Sequence, residues 1–181
     1  MKLILENWNN FLREQLESEI TAYHCGRNIE SEQFSLEFFN TGERFGYPPL
    51  GPGIYFATEE RIARAYCHYH PEPYLYEVRI PTKSLYNLHT GEPEELRERL
   101  AEWSLKNPMR SKWSGEELHP WDKIERITRT QGAQKAAKVL SDLGIRGGWT
   151  TLLAGGLEVA VYDTSIVTIV NKEGITNEEN T

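Results

Sequence analysis

The run Gly51-Pro52-Gly53-Ile54-Tyr55-Phe56-Ala57 is the strongest constraint on how this chain folds. Two glycines around a proline make a turn, and the apolar and aromatic residues behind it read as a buried strand. Thr58 is placed to cap a following helix, with Glu59, Glu60 and Arg61 in its first turn. That helix is expected to reach about His68, before Pro71 and Pro73.

The rest of the chain is read from hydrophobic period and turn signals. Residues 3–20 carry Leu3, Trp8, Phe11, Leu12, Leu16 and Ile20 near helical spacing, so residues 1–20 read as an amphipathic helix packed on the domain. A short strand is expected over 21–24, ending in Cys25-Gly26, then a helix over 31–40 and a Gly- and Pro-rich loop over 41–53. A strand over 74–80 stops at Pro81, and 93–105 reads as a helix. Residues 106–123 read as irregular, and 131–143 as an amphipathic helix ended by Gly144. Three strands close the domain, over 145–151, 157–162 and 166–170, with Gly147-Gly148 and Gly155-Gly156 as turns or bulges. No repeat or linker interrupts this order. It describes one α+β domain dominated by antiparallel strands, over 21–172, with a polar tail at 173–181.

Three segments carry chemistry: Tyr23-His24-Cys25-Gly26, the 51–57 run with Ala63, Ala65 and Tyr66 after it, and Leu157-Glu158-Val159-Ala160-Val161-Tyr162-Asp163. Alone, each has a plain structural reading, as a turn histidine, a turn before a core strand, or a solvent-facing glutamate. Together and in this order, they resemble the ADP-ribosyltransferase superfamily of the His-Tyr-Glu type, which includes poly(ADP-ribose) polymerase catalytic domains and diphtheria-like toxins. In that family one strand ends in His-Gly, a later one carries G-x-G-I-Y-F-A with a second tyrosine eleven residues on, and a late strand opens with Glu. Residues 51–57, the pair Tyr55 and Tyr66, and Glu158 through Tyr162-Asp163 match, from residue 23 to about 170.

The resemblance implies a split pair of antiparallel sheets with flanking helices, NAD+ as co-substrate and no metal. It assigns catalysis to His24, Tyr55 and Glu158, and NAD+ contacts to His24, Cys25, Gly26, Tyr55, Phe56, Ala63 and Tyr66. The chemistry suits these residue types. Nicotinamide in NAD+ is a flat cationic ring, which the faces of Tyr55 and Tyr66 would sandwich. As the nicotinamide–ribose bond breaks, the ribose becomes oxocarbenium-like, and the carboxylate of Glu158 would stabilise it. His24 would hold the adenosine-side ribose hydroxyl. Three positions depart from the pattern. Cys25 stands where the family has Gly after the His, Ala63 stands where the polymerases have an amide-binding Ser, and Gly156 lacks the acidic or Gln residue of the arginine-modifying toxins.

The implied activity is transfer of a single ADP-ribose to a macromolecular acceptor, a protein first and a nucleic acid second, since 181 residues leave no room for an appended regulatory domain. NAD+ glycohydrolysis, and a catalytically dead NAD+ or ADP-ribose-binding module, are the alternatives. The net charge of −7 argues against a generic nucleic-acid or membrane binder. Lys106, Arg110, Lys112, Lys123, Arg126, Arg129, Lys135 and Lys138 gather positive charge, either as solvated surface or as a docking face. Cys25 and Cys67 make no disulfide framework, so a reducing compartment and a cytoplasmic protein are expected. Cys67, His68 and His70 do not have a metal-site spacing. The opening Met1-Lys2-Leu3-Ile4-Leu5-Glu6-Asn7-Trp8 resembles the starts of small proteins of tailed bacteriophages, which implies an effector or toxin acting in a bacterial host cytoplasm. The 41–52 loop would act as a flap at the pocket mouth.

Overall fold

The computed structural model describes residues 19–31, 33–36, 50–89 and 93–175. Most of the N-terminal amphipathic helix, of the proposed flap and of the tail lies outside the described residues. Strands β1 (Glu19–Gly26), β2 (Ile54–Ala57), β3 (Tyr74–Pro81), β4 (Tyr86–Asn87), β5 (Gly147–Thr151), β6 (Leu157–Val161) and β7 (Thr168–Gly174) form one sheet, ordered β4-β5-β6-β2-β1-β3-β7. All neighbours run antiparallel except β4 and β5. Helices α1 (Glu60–Ala65), α2 (Glu94–Lys106), α3 (Pro120–Gln131) and α4 (Ala133–Asp142) flank it. The fold is α+β.

The sheet is narrowest in its middle. β1 and β3 share a ladder from Glu19–Pro81 to Gly26–Tyr74, and β2 pairs with β6 along its whole length. Between β1 and β2 a single register pair remains, Tyr23 with Ala57. Two half-sheets therefore meet at one rung.

Period-two alternation sorts the side chains. Ile20 and Ala22 of β1, Ile54 and Phe56 of β2, Val78 and Ile80 of β3 and Val159 and Val161 of β6 share one apolar cluster. The opposite face carries two clusters. Ala160 and Tyr162 pack there under Leu96, Leu100, Ile124, Ala136 and Leu140 of the helices. Cys25 and Leu75 pack under Ala63 and Cys67.

Several elements differ from expectation. Residues 19 and 20 belong to β1 rather than to the N-terminal helix. Residues 33–35 are not helical, and Phe34 instead buries its ring among Phe56 and Tyr76. Pro120 is expected within an irregular stretch, but it opens α3, where a first-turn residue needs no amide hydrogen and φ is already helical. The expected 131–143 helix is broken by Gly132 at φ +91, which ends α3 and starts α4. β7 runs on to Gly174 and Ile175 is buried, so the domain extends past 172. Pairing with β3 and the bond from Ile175 N to Pro73 O hold a polar segment that has few apolar residues of its own.

Lys123 is another correction. Rather than joining a basic surface, it is fully buried, and its Nζ donates to the carbonyls of Ser104 and Asn107 at 3.1 Å each and pairs with Glu117. Most of the other cations of that region are engaged as well. Lys106 pairs with Glu102, Arg129 with Glu125 and Lys138 with Asp142, while Arg126 donates to the Arg110 carbonyl.

Candidate active site

Cys25 and Cys67 form a disulfide with Cα atoms 5.3 Å apart, which overturns the reading of two reduced thiols. β1 brings Cys25 to the face covered by α1, and the 3-10 turn Cys67–Tyr69 after α1 brings Cys67 down onto it. The bond ties the residue after His24 to the residue after Tyr66.

His24 sits where the half-sheets part. Continuing the β1–β2 register by two residues past Tyr23 and Ala57 would match Cys25 with Tyr55. There, instead, the Tyr55 carbonyl accepts from His24 Nδ1 at 2.7 Å. The imidazole packs against Phe34 and Phe56 at 5.5 Å and Tyr76 at 6.4 Å between ring centroids. Burial among these rings lowers the His24 pKa to about 4, with the bond to Tyr55 opposing and His70 adding slightly. The ring is therefore neutral at pH 7. Because a carbonyl can only accept, Nδ1 carries the hydrogen and Nε2 is left as an acceptor. Gly26 makes room for it, since a Cβ there would lie 2.8 Å from Nε2.

Tyr55 and Glu158 share the other face. Alternation along β2 puts Tyr55 with Ala57, and the register sets Glu158 opposite Ala57 and Ala160 opposite Tyr55. The Tyr55 hydroxyl donates to the Gly51 carbonyl at 3.1 Å and accepts from Leu50 N–H at 2.8 Å, which locks the turn in front of β2. Tyr162, four residues after Glu158, donates its hydroxyl to the Leu50 carbonyl. Glu158 is partly buried, and desolvation raises its pKa above the usual carboxylate range. Among the described residues, no hydrogen bond or ion pair reaches its carboxylate.

The other expected contact residues are spread around this centre. Phe56 is buried on the His24 side, and Ala63 is buried on the sheet-facing side of α1 with Cys25 and Cys67. Tyr66 is half exposed, its ring 6.3 Å from Tyr69 beside a shallow depression lined by Arg61, Ile62, Ala65 and His68. The structure thus brings His24, Gly26 and Phe56 together, sets Tyr55 and Glu158 on adjacent strands, and leaves Tyr66 half exposed beside Tyr69.

Sequence reasoning missed Phe34 and Tyr76. The Tyr76 hydroxyl accepts from Ile29 N–H at 2.7 Å and donates to the Arg27 carbonyl at 2.8 Å, so it shapes the turn after β1 as well as the His24 cage. A buried Tyr in an apolar strand, which needs a partner for its hydroxyl, was the available signal. Among the described residues no three His, Cys, Asp or Glu side chains group as metal ligands, and no helix is long and apolar enough to cross a membrane.

No family model matches this sequence, and no curated protein matches it. A similar solved structure is a chain of the MbcT–MbcA toxin–antitoxin complex of M. tuberculosis. It is 16% identical, with a TM-score of 0.38, over 87% of this chain and 85% of that chain.

Proposed function

We propose that this protein cleaves NAD+ at the nicotinamide–ribose bond and transfers a single ADP-ribose to a protein acceptor. One observation carries the reading. Glu158, a partly buried carboxylate with no partner among the described residues, stands on the Tyr55 face beside the rung where the two half-sheets meet. A desolvated carboxylate without a counter-ion is costly to keep unless it meets positive charge in function. The oxocarbenium-like ribose of a departing nicotinamide is such a charge.

The supporting geometry lies within two strands. The neutral His24 offers Nε2 as an acceptor for a ribose hydroxyl. The backbone of Cys25-Gly26 lies next to it, and Tyr55 offers a ring face for nicotinamide. In this reaction the C1′–N bond breaks with its electron pair leaving on nicotinamide. Glu158 stabilises the ribosyl cation, and the acceptor nucleophile attacks C1′ and loses its proton. The order of motifs and their resemblance to the His-Tyr-Glu transferases add to this reading.

The test is incubation with NAD+ labelled on the adenine side, with and without bacterial lysate, for wild type and Glu158→Gln. Label on lysate protein with wild type alone is the expected result. Free ADP-ribose without labelled macromolecule would make the protein a glycohydrolase, and label on RNA or DNA would make the acceptor nucleic acid. No turnover by folded wild type would sink the proposal.

A further inference from the structure

The Cys25–Cys67 bond joins two segments that are held by unlike means. Cys25 lies within the β1–β3 ladder, opposite Leu75. Cys67 opens the 3-10 turn that follows α1. The backbone bonds of that turn are local. Tyr66 N–H donates to the Ala63 carbonyl, Tyr69 N–H to that of Tyr66, and His70 N–H to that of Cys67. The chain ahead of the turn has distant anchors instead. Thr58 Oγ1 accepts from Leu157 N–H at 2.7 Å, Arg61 donates to the Ala154 carbonyl, and Arg64 pairs with Glu173 at 3.3 Å.

Little apolar packing holds the turn to the sheet. The cluster around the bond has the two cysteines themselves among its buried members, with Ala63, Leu75 and Ile175. Tyr66 and Tyr69 are each half exposed. Without the bond, a segment of local hydrogen bonds and small buried area opens at low free-energy cost while the sheet persists. The turn also borders the candidate site. The register that pairs Tyr23 with Ala57 sets Cys25 level with Tyr55 and on the same face, so Cys67 stands against the strand beside Tyr55.

We propose that the Cys25–Cys67 bond is a redox latch on the candidate site. The oxidised chain holds the turn as a side wall of the Tyr55 face and binds NAD+ in this form. A dithiol opens the latch. Its thiolate attacks one sulfur, the S–S bond takes up two electrons and two protons to give the Cys25 and Cys67 thiols, and the dithiol leaves as its own disulfide. The freed turn no longer walls the Tyr55 face, and NAD+ affinity falls. The identity of the ligand rests on the NAD+ reading, whereas release of the turn does not.

The test compares oxidised, dithiothreitol-reduced and reoxidised protein, and Cys25→Ser with Cys67→Ser, below the Tm of the reduced form and with circular dichroism to check folding. Amide hydrogen exchange should speed up across residues 66–70 on reduction and stay slow in β3. Exchange unchanged in the turn, or rising equally in β3, overturns the latch without reference to NAD+. Calorimetry in the Glu158→Gln background, which removes turnover, should show NAD+ binding about tenfold weaker after reduction, as a wall in place roughly one-tenth of the time implies. ADP-ribose lacks nicotinamide and should bind both forms alike, and an equal loss for ADP-ribose would overturn a latch on the Tyr55 face. Reoxidation should restore NAD+ binding, and the double serine variant should bind weakly with or without reductant. Equal NAD+ affinity of folded oxidised and reduced protein overturns the latch and leaves the transfer reading intact. Redox-dependent NAD+ binding without turnover by oxidised wild type removes the transfer reading and leaves the latch standing.

Discussion

His24 takes the place of a backbone rung. Its Nδ1–H bonds the Tyr55 carbonyl at 2.7 Å, at the level where Cys25 would otherwise pair with Tyr55. A buried carbonyl left without a donor costs about 1–3 kcal/mol, so the ring stabilises the parting of the half-sheets while it stays poised at the gap.

The cost of charging that ring sets a pH dependence. His24 titrates at about 4 in the fold and at 6.5 in the unfolded chain. Between these values the unfolded chain binds a proton that the folded chain does not, so stability falls as pH drops through the window. The loss from this group should reach no more than about 3 kcal/mol at the acid end. Urea unfolding from pH 7 to pH 4 should show that slope, and His24→Asn, although less stable at pH 7, should flatten it. An equal slope in both proteins would place the acid sensitivity elsewhere.

Glu158 has the opposite sign. Burial raises its pKa, so the folded state favours the neutral acid, and that preference is lost as pH rises through the folded pKa. Glu158→Gln is neutral at every pH. It should melt at the same temperature as wild type or higher at pH 7, while the labelling reaction falls about 10²–10³-fold. A variant that loses activity and stability together would mark Glu158 as a structural residue.

Gly26 bears on the same histidine. An alanine Cβ would lie 2.8 Å from His24 Nε2 and 3.2 Å from Cδ2, so Gly26→Ala must displace the ring or move the strand. ADP-ribose affinity should drop about tenfold or more, since the displaced Nε2 no longer faces its ribose hydroxyl. Titration with Gly26→Ala checks this, and an unchanged Kd would mean that Nε2 takes no part in binding.

The disulfide closes a loop with a sequence separation of 42 residues. Constraining the unfolded chain in this way stabilises by about 2–4 kcal/mol. Thermal melts with and without dithiothreitol should show a lower Tm on reduction, and Cys25→Ser with Cys67→Ser should match the reduced protein and ignore the reductant. Free-thiol titration of unreduced, denatured protein should find none, and two thiols per chain would contradict the bond.

Buried Lys123 anchors the segment between α2 and α3. Lys123→Met would leave the Ser104 and Asn107 carbonyls and Glu117 without their shared donor, at a cost of about 3 kcal/mol. Denaturant unfolding should register this as a lower midpoint. If the midpoint holds, water or another side chain has replaced the ammonium.

The strands at the site were legible because their signals are local. The glycine–proline turn, the apolar run from Ile54 and the Glu158 strand need only neighbours in sequence, and they lie where periodicity put them. β4 was not legible, because Tyr86 and Asn87 become a strand only by lying parallel to Gly148 and Trp149. Pro120 is ambiguous in sequence because a proline can open a helix as well as interrupt one, and packing of the next three turns decides between them.

What the sequence by itself determined was the strands of the site, their apolar faces and the residue types that could serve NAD+ chemistry. What only the tertiary structure decided was the state of those residues. His24 meets the Tyr55 carbonyl from 31 residues away, Cys25 meets Cys67 from 42, and Tyr76 meets Arg27 from 49. Protonation, thiol pairing and the setting of charge depend on the groups brought within a few ångströms by folding, and no local pattern encodes which groups those will be.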